Sequence, residues 1–191
     1  YLRYSPYIQV LCPRHTLGCV RGCFSGHFLM LHIIMLYGLP GVGKYTIGKE
    51  LATLTQFEFY HNHIVVNEVM KRHSFGSPEF IQERGALWRA HFEQRIADAE
   101  QIDQNIGLVF TFSPESTVPQ TFVDWLHETV PKHSRFFTVA LRASHDQIEK
   151  RLTQSTRQHL CKLTDLPLYL QLKENGTFES PVMPPPHMTI L

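Results

Sequence analysis

From residue 30 onward, short apolar runs alternate with longer stretches in which apolar residues recur every three or four positions. The runs His32-Ile33-Ile34-Met35-Leu36-Tyr37, Phe57-Glu58-Phe59-Tyr60, Gly107-Leu108-Val109-Phe110-Thr111-Phe112 and Phe136-Phe137-Thr138-Val139-Ala140-Leu141 have the length and residue types of buried strands. A fifth strand, His187-Met188-Thr189-Ile190-Leu191, follows the stiff connector Pro184-Pro185-Pro186. Between the runs, helical spacing takes over. Ile47, Leu51 and Leu54 predict a first helix, and Ile64, Val65, Val69 and Met70 a second. A long helix opens at Gly76-Ser77-Pro78, carries Phe80, Arg84, Leu87, Trp88, His91, Phe92, Arg95 and Ile96, and ends near Ile102. Val118, Phe122, Trp125, Leu126 and Val130 mark a fourth helix, with Trp88, Phe92, Phe122 and Trp125 read as core. Ser144-x-x-Gln147 is a capping box opening a fifth, which contains Ile148, Arg151 and Leu152. Asp165 caps a short sixth helix with Leu168, Leu170 and Leu172, which Gly176 stops. The segment Thr153 to Thr164 is polar without an apolar stripe and is expected to be a mobile lid. Strands separated by helices predict an α/β fold: a parallel five-stranded sheet with helices on both faces and a short lid.

Between the first strand and the first helix lies Gly38-Leu39-Pro40-Gly41-Val42-Gly43-Lys44-Tyr45-Thr46, which has the pattern of a phosphate-binding loop. Glycines let successive backbone N–H groups turn toward one point, and the helix beginning there adds its positive dipole end. Gly38, Pro40, Gly41, Val42, Gly43, Lys44, Tyr45 and Thr46 are therefore the candidate nucleotide-binding residues. Lys44 is expected to reach the β- and γ-phosphates and Thr46 to serve Mg²⁺, directly or through water. Tyr45 stands where a Ser or Thr usually follows the lysine, so the hydroxyl comes one position later. A dinucleotide fingerprint fails, because Thr46 occupies the place of its third glycine.

Composition narrows the partners. The chain has 191 residues, 43% of them apolar, enough for one domain with a sizeable core. With 18 basic against 17 acidic residues, no global field favours nucleic acid or an anionic membrane surface, and anion binding must be local. The longest apolar run, Phe28 to Tyr37, falls far short of the ~20 residues of a membrane-spanning helix. Cys12, Cys19 and Cys23 lie in an opening segment without sustained periodicity, whereas the rest of the chain has only Cys161. Residues 1–29 are accordingly expected to be a disordered extension outside the domain, with Met30 as the natural start and residues 30–191 as the domain. A zinc site from those cysteines with His15 or His27 is disfavoured, since the spacing lacks a CxxC pair. One cysteine in the domain suits a reduced, cytoplasmic protein.

Together these residues resemble the P-loop small-molecule kinases related to shikimate, gluconate and adenylate kinases, over residues 30–191. Adenylate-kinase-like enzymes also place the threonine second after the lysine. Val139-Ala140-Leu141, followed by Ile148 and Arg151, is similar to the family's fourth strand and the arginine that opens its lid. Phe59-Tyr60-His61-Asn62-His63, Phe75-Gly76-Ser77-Pro78, Lys162-Leu163-Thr164-Asp165 and Gly176-x-Phe178 resemble stretches of bacterial proteins described as shikimate-kinase-like or AAA-family ATPase. The resemblance implies a three-layer P-loop NTPase fold, ATP and Mg²⁺ as cofactors, and a chain that continues in its relatives beyond Leu191. Three departures stand out. His61 and His63 occupy the place of shikimate kinase's aspartate pair, Thr111-Phe112-Ser113-Pro114-Glu115 replaces its Gly-Gly-Gly loop, and no Asp follows an apolar strand, which leaves Glu115 as the candidate Mg²⁺ helper.

The expected activity is transfer of the γ-phosphate of Mg-ATP to a hydroxyl of a small molecule; the alternative is a nucleotide-binding ATPase or switch without an acceptor. Phosphoryl transfer needs in-line positioning and positive charge. Lys44 would supply charge from the loop, and Arg151, Arg157 and Lys162 from the lid; each of the last three has exposed surface charge as its plainer reading. If the second strand persisted through them, His61 and His63 would face the crevice together, as base or substrate ligands, as strand-end structural residues, or as a metal pair lacking a third ligand. Asn62 and Ser113 lie at the same sheet edge. On the resemblance, Arg84 presents its guanidinium to an acidic acceptor, or else forms a helix-surface salt bridge.

Overall fold

A computed structural model describes residues 31–101, 106–153, 163 and 165–191. The expectations for residues 1–29, for Arg157 and Lys162, for Cys161 and for most of the Thr153–Thr164 lid lie outside them. Five strands, β1 (Leu31–Tyr37), β2 (Glu58–His61), β3 (Gly107–Phe112), β4 (Ser134–Leu141) and β5 (Met188–Ile190), form one sheet in the order β2-β3-β1-β4-β5. Every pairing is parallel. The helices are α1 (Lys44–Thr55), α2 (His63–Val69), α3 (Pro78–Gln101), α4 (Gln120–Glu128), α5 (His145–Leu152) and α6 (Leu166–Glu174), with a 3₁₀ turn at Val130–Lys132.

Alternation along the strands sorts the core into two layers. Leu31, Ile33, Met35 and Tyr37 of β1, with Leu108, Phe110 and Phe112 of β3, pack under α2, α3 and α4 through Val69, Phe80, Trp88, Phe92 and Phe122. Leu36, Val109, Val139 and Leu141 face the other way, toward Ala52, Ile148, Leu152 and Tyr169 of α1, α5 and α6. Both faces are therefore covered, which is why the central strands read as nearly continuous apolar runs. Among the described residues no helix is long and apolar enough to cross a membrane.

Local signals act as their chemistry requires. Ser144 Oγ accepts from Gln147 N while Gln147 answers to Ser144 N, completing the capping box. Asp165 accepts from Leu168 N at the start of α6. Two expectations need correction. The buried face of α1 is Gly48 and Ala52, whereas Leu54 is 81% exposed and Ile47 also reaches solvent. A β-carbon on Gly48 would meet Phe59 Cε2 at 2.7 Å and Thr111 Cγ2 at 3.0 Å, so the helix lies on the sheet through its smallest residues. Strand β2 also ends at His61: Asn62 is already right-handed helical (φ −48°, ψ −38°) and His63 opens α2. The two-residue period that would have aimed both histidines the same way stops between them.

Candidate functional site

The carboxyl end of β1 turns into α1 through the glycine-rich loop. Gly41 (φ 89°) and Gly43 (φ 104°) occupy the left-handed region that a side chain resists, and Gly43 sits immediately before the first turn of α1. The first-turn amides of that helix have no carbonyl one turn back, so they converge at a site suited to an anion. A β-carbon on Gly43 would meet only ordinary contacts, 3.7 Å from Ile47 Cδ1 and 3.9 Å from Arg151 Nη1, so it is the positive φ that calls for glycine there. Lys44 Nζ donates to Gly38 O (2.6 Å) and Leu39 O (2.9 Å), which curls the side chain back over the loop. Arg151, in the last turn of α5, donates through Nη1 to Gly41 O (3.3 Å) and Val42 O (3.2 Å). The guanidinium thus braces the loop through its carbonyls.

This loop forms one wall of a cleft of about 1020 Å³. Pro40, Gly41, Val42, Gly43, Lys44, Tyr45 and Thr46 all line it, as do Arg151, Asn62, His63 and Ser113. Gly38 faces instead a neighbouring cavity of about 650 Å³, between the loop and residues 178–186. Asn62 and His63 reach the cleft because the β2–α2 junction lies at the same sheet edge as the loop. Asn62 N donates to Thr111 Oγ1 (3.3 Å), which ties that junction to the end of β3. The Oδ1 atom of Asn62 is buried and meets no partner among the described residues.

His61 is not among the described residues that line the cleft. It lies on the α1 side of the sheet with its ring 5.1 Å from that of Tyr45 and 5.4 Å from that of Phe59, and 6.2 Å from His63. Arg84 is also placed differently from either expectation: it is neither on the surface nor in the cleft. It is 1% exposed, donates to Glu115 Oε1 (2.9 Å), Thr117 Oγ1 (3.0 Å) and Thr117 O (2.6 Å), and stacks over Phe80 and Trp88. Burial pulls its pKa below the ordinary guanidinium value and the Glu115 carboxylate opposes that shift. Arg84 thereby orients Glu115, which does line the cleft. Thr117 Oγ1 donates to the same Oε1 (2.6 Å), while Oε2 takes no hydrogen bond among the described residues.

Sequence patterning missed the rest of the wall. Val66 of α2, Met70 just after it, Phe75 in the α2–α3 connection, Leu168 and Leu172 of α6, and Phe178 also line the cleft. Several of these sit at helical spacing, and that spacing is indistinguishable from a core stripe until the partner helices are placed.

No protein-family model and no curated protein matches the chain by sequence. Solved structures do share its fold. An unliganded sugar kinase from Janibacter sp. HTCC2649 superposes with a TM-score of 0.53 at 17% identity, over 84% of this chain and 83% of that one. APE1195 superposes with a TM-score of 0.51 at 19% identity, over 85% and 86%. Shikimate kinase from Bacteroides thetaiotaomicron gives 0.48 at 14% identity, over 83% and 85%, too distant to add to the comparison. The chain shares its fold with the first two of these structures, here an α/β sheet of five parallel strands with helices on both sides.

Proposed function

We propose that this protein is an ATP-dependent phosphotransferase that moves the γ-phosphate of Mg-ATP to a hydroxyl of a small molecule. The reading rests on one observation: the glycine-rich loop with Lys44, Thr46 and Arg151 shares a single cleft with Asn62, His63, Ser113 and Glu115. Mg-ATP bound there supplies an activated phosphoryl group whose charge the metal helps neutralise. The chain's own residues hold and orient. The amides of the loop and of the first turn of α1 grip the phosphate oxygens, and Lys44 Nζ exchanges its carbonyl partners Gly38 and Leu39 for them. Thr46 is exposed at the cleft and serves the magnesium side, directly or through water. Arg151 keeps the loop in its receptive shape. On the acceptor side, Asn62 and Ser113 hold the hydroxyl and His63 takes its proton. The single cysteine of residues 30–191, Cys161, leads us to assign this activity to the cytoplasm.

The test is ADP release by the full chain with Mg-ATP across sugars, acids, nucleosides and hydroxylated antibiotics. Release stimulated by one acceptor class, and lowered ~100-fold or more in His63→Ala, supports the proposal. Release equally fast without any acceptor would instead mark an ATPase or switch.

A further inference from the structure

We infer that the acceptor half of the cleft takes a hydroxyl-bearing molecule with an apolar body, in preference to a polyhydroxylated sugar or sugar acid. The inference rests on the phosphotransferase reading for the transfer step and on the cleft's own walls for the choice of acceptor. Met70 is 51% exposed, Phe75 52% and Leu168 41%. Met70 and Phe75 lie in the stretch that follows α2 and Leu168 lies in α6, and all three line one opening together with Val66 and Leu172. Exposed apolar side chains scattered singly carry no meaning, whereas a contiguous set around a concave site marks a surface that a ligand covers.

The polar groups are few and sit together. Asn62 Oδ1 is buried without a partner among the described residues, Ser113 follows the end of β3, Glu115 has Oε2 free of hydrogen bonds among those residues, and His63 and Thr177 line the cleft with them. That set satisfies one hydroxyl, or a hydroxyl and a neighbouring donor. An apolar pocket with a few convergent polar groups orients a ligand through one end and holds its body by burial. The hydroxyls of a sugar that faced Met70, Phe75 and Leu168 would lose water and gain no partner there, so each would count against binding. Arg84 offers no grip on an acid, since both its terminal nitrogens are spent on Glu115 and Thr117 behind the cleft wall.

The experiment measures direct binding to the full chain without nucleotide, so that it is independent of whether ATP is used. The probes are 4-phenylbutan-1-ol, 1-octanol and cyclohexylmethanol, set against glucose, gluconate and shikimate, read by saturation-transfer NMR and calorimetry. We expect at least one of the three alcohols to bind at least 10-fold more tightly than every sugar and acid. Met70→Gln with Leu168→Gln, both at exposed positions that tolerate a polar side chain, should weaken that binding by ~10-fold or more while leaving the melting temperature and Mg-ATP affinity unchanged. Binding of none of the alcohols, tighter binding of a sugar or acid, or alcohol binding indifferent to the double substitution would overturn the inference. Failure of the phosphotransferase reading would appear separately, as alcohol binding without formation of a phosphate ester by ³¹P NMR when Mg-ATP is added.

Discussion

Arg84→Met removes a buried charge whose partner, Glu115, lines the cleft. The substitution keeps an unbranched stem between Phe80 and Trp88 and removes the charge that sits 4.9 and 4.7 Å from those rings. It also removes three hydrogen bonds, to Glu115 Oε1, Thr117 Oγ1 and Thr117 O, at 2.9, 3.0 and 2.6 Å. Breaking a buried ion pair by deleting one partner costs about 3–5 kcal/mol, because the other charge is left without compensation. Here the orphaned carboxylate is 16% exposed at the cleft and can recruit water or a proton, so we reduce the expected loss to about 2–4 kcal/mol. For a domain of this size that lowers the melting temperature by about 4–16 °C. Urea titration followed by tryptophan fluorescence is the assay, since Trp88 lies directly under the guanidinium. Adding Glu115→Gln should recover part of the loss, giving a coupling of about 1–3 kcal/mol between the two positions. A loss below about 1 kcal/mol, or strictly additive effects in the double variant, would refute the claim that Glu115 depends on Arg84.

Three further outcomes follow from the packing and the site. Gly48→Ala gains about 1 kcal/mol of helix propensity but forces a β-carbon to 2.7 Å from Phe59, an overpacking worth about 1–3 kcal/mol; urea denaturation should show a net loss near 1 kcal/mol, and a gain would disprove the close approach of α1 to the sheet. Arg151→Ala should weaken Mg-ATP binding about 5–30-fold in calorimetry through loss of the bonds to Gly41 O and Val42 O, with Arg151→Lys intermediate; unchanged affinity would remove its bracing role. His91 stacks on Tyr60 at 3.7 Å, and burial holds its pKa below the ordinary 6.5 against the pull of Glu58 and Asp98. The unfolded chain therefore binds the proton first, so stability should be lost as pH falls below about 6.5 and be fully present above it. His91→Phe, which preserves the stacking, should flatten stability between pH 7 and 5, and an unchanged slope there would exclude His91 as its source.

The layers of the fold were legible because each β strand carries its pattern locally. Ile33 and Met35 alternate with Ile34 and Leu36, the capping box at Ser144 and the Asp165 cap use residues three positions apart, and the loop from Gly38 to Thr46 is contiguous. What stayed hidden depends on partners distant in sequence. Arg84 finds Glu115 and Thr117 across 31 and 33 residues, so its burial has no local signature. Ile47 and Leu54 look like the inner face of α1 by hydrophobicity, yet close contact with Phe59 and Thr111 selects Gly48 and Ala52 by size, with Leu51 packed partly beside them. His61 and His63 part company because the helix begins at the residue between them, a boundary that strand periodicity does not encode. The apolar wall of the cleft joins α2 to α6, about a hundred residues apart, and becomes visible only when the sheet brings them to one edge.

A kinase built on this fold must grip a triphosphate with the loop at the end of β1. Melting of the full chain with and without Mg-ATP tests this most directly. At about 100 times its dissociation constant the nucleotide should add about 2.7 kcal/mol, a rise of about 5–10 °C, and Lys44→Ala should abolish the rise while the nucleotide-free protein remains folded. No rise in the wild-type chain, or one of equal size in Lys44→Ala, would contradict it.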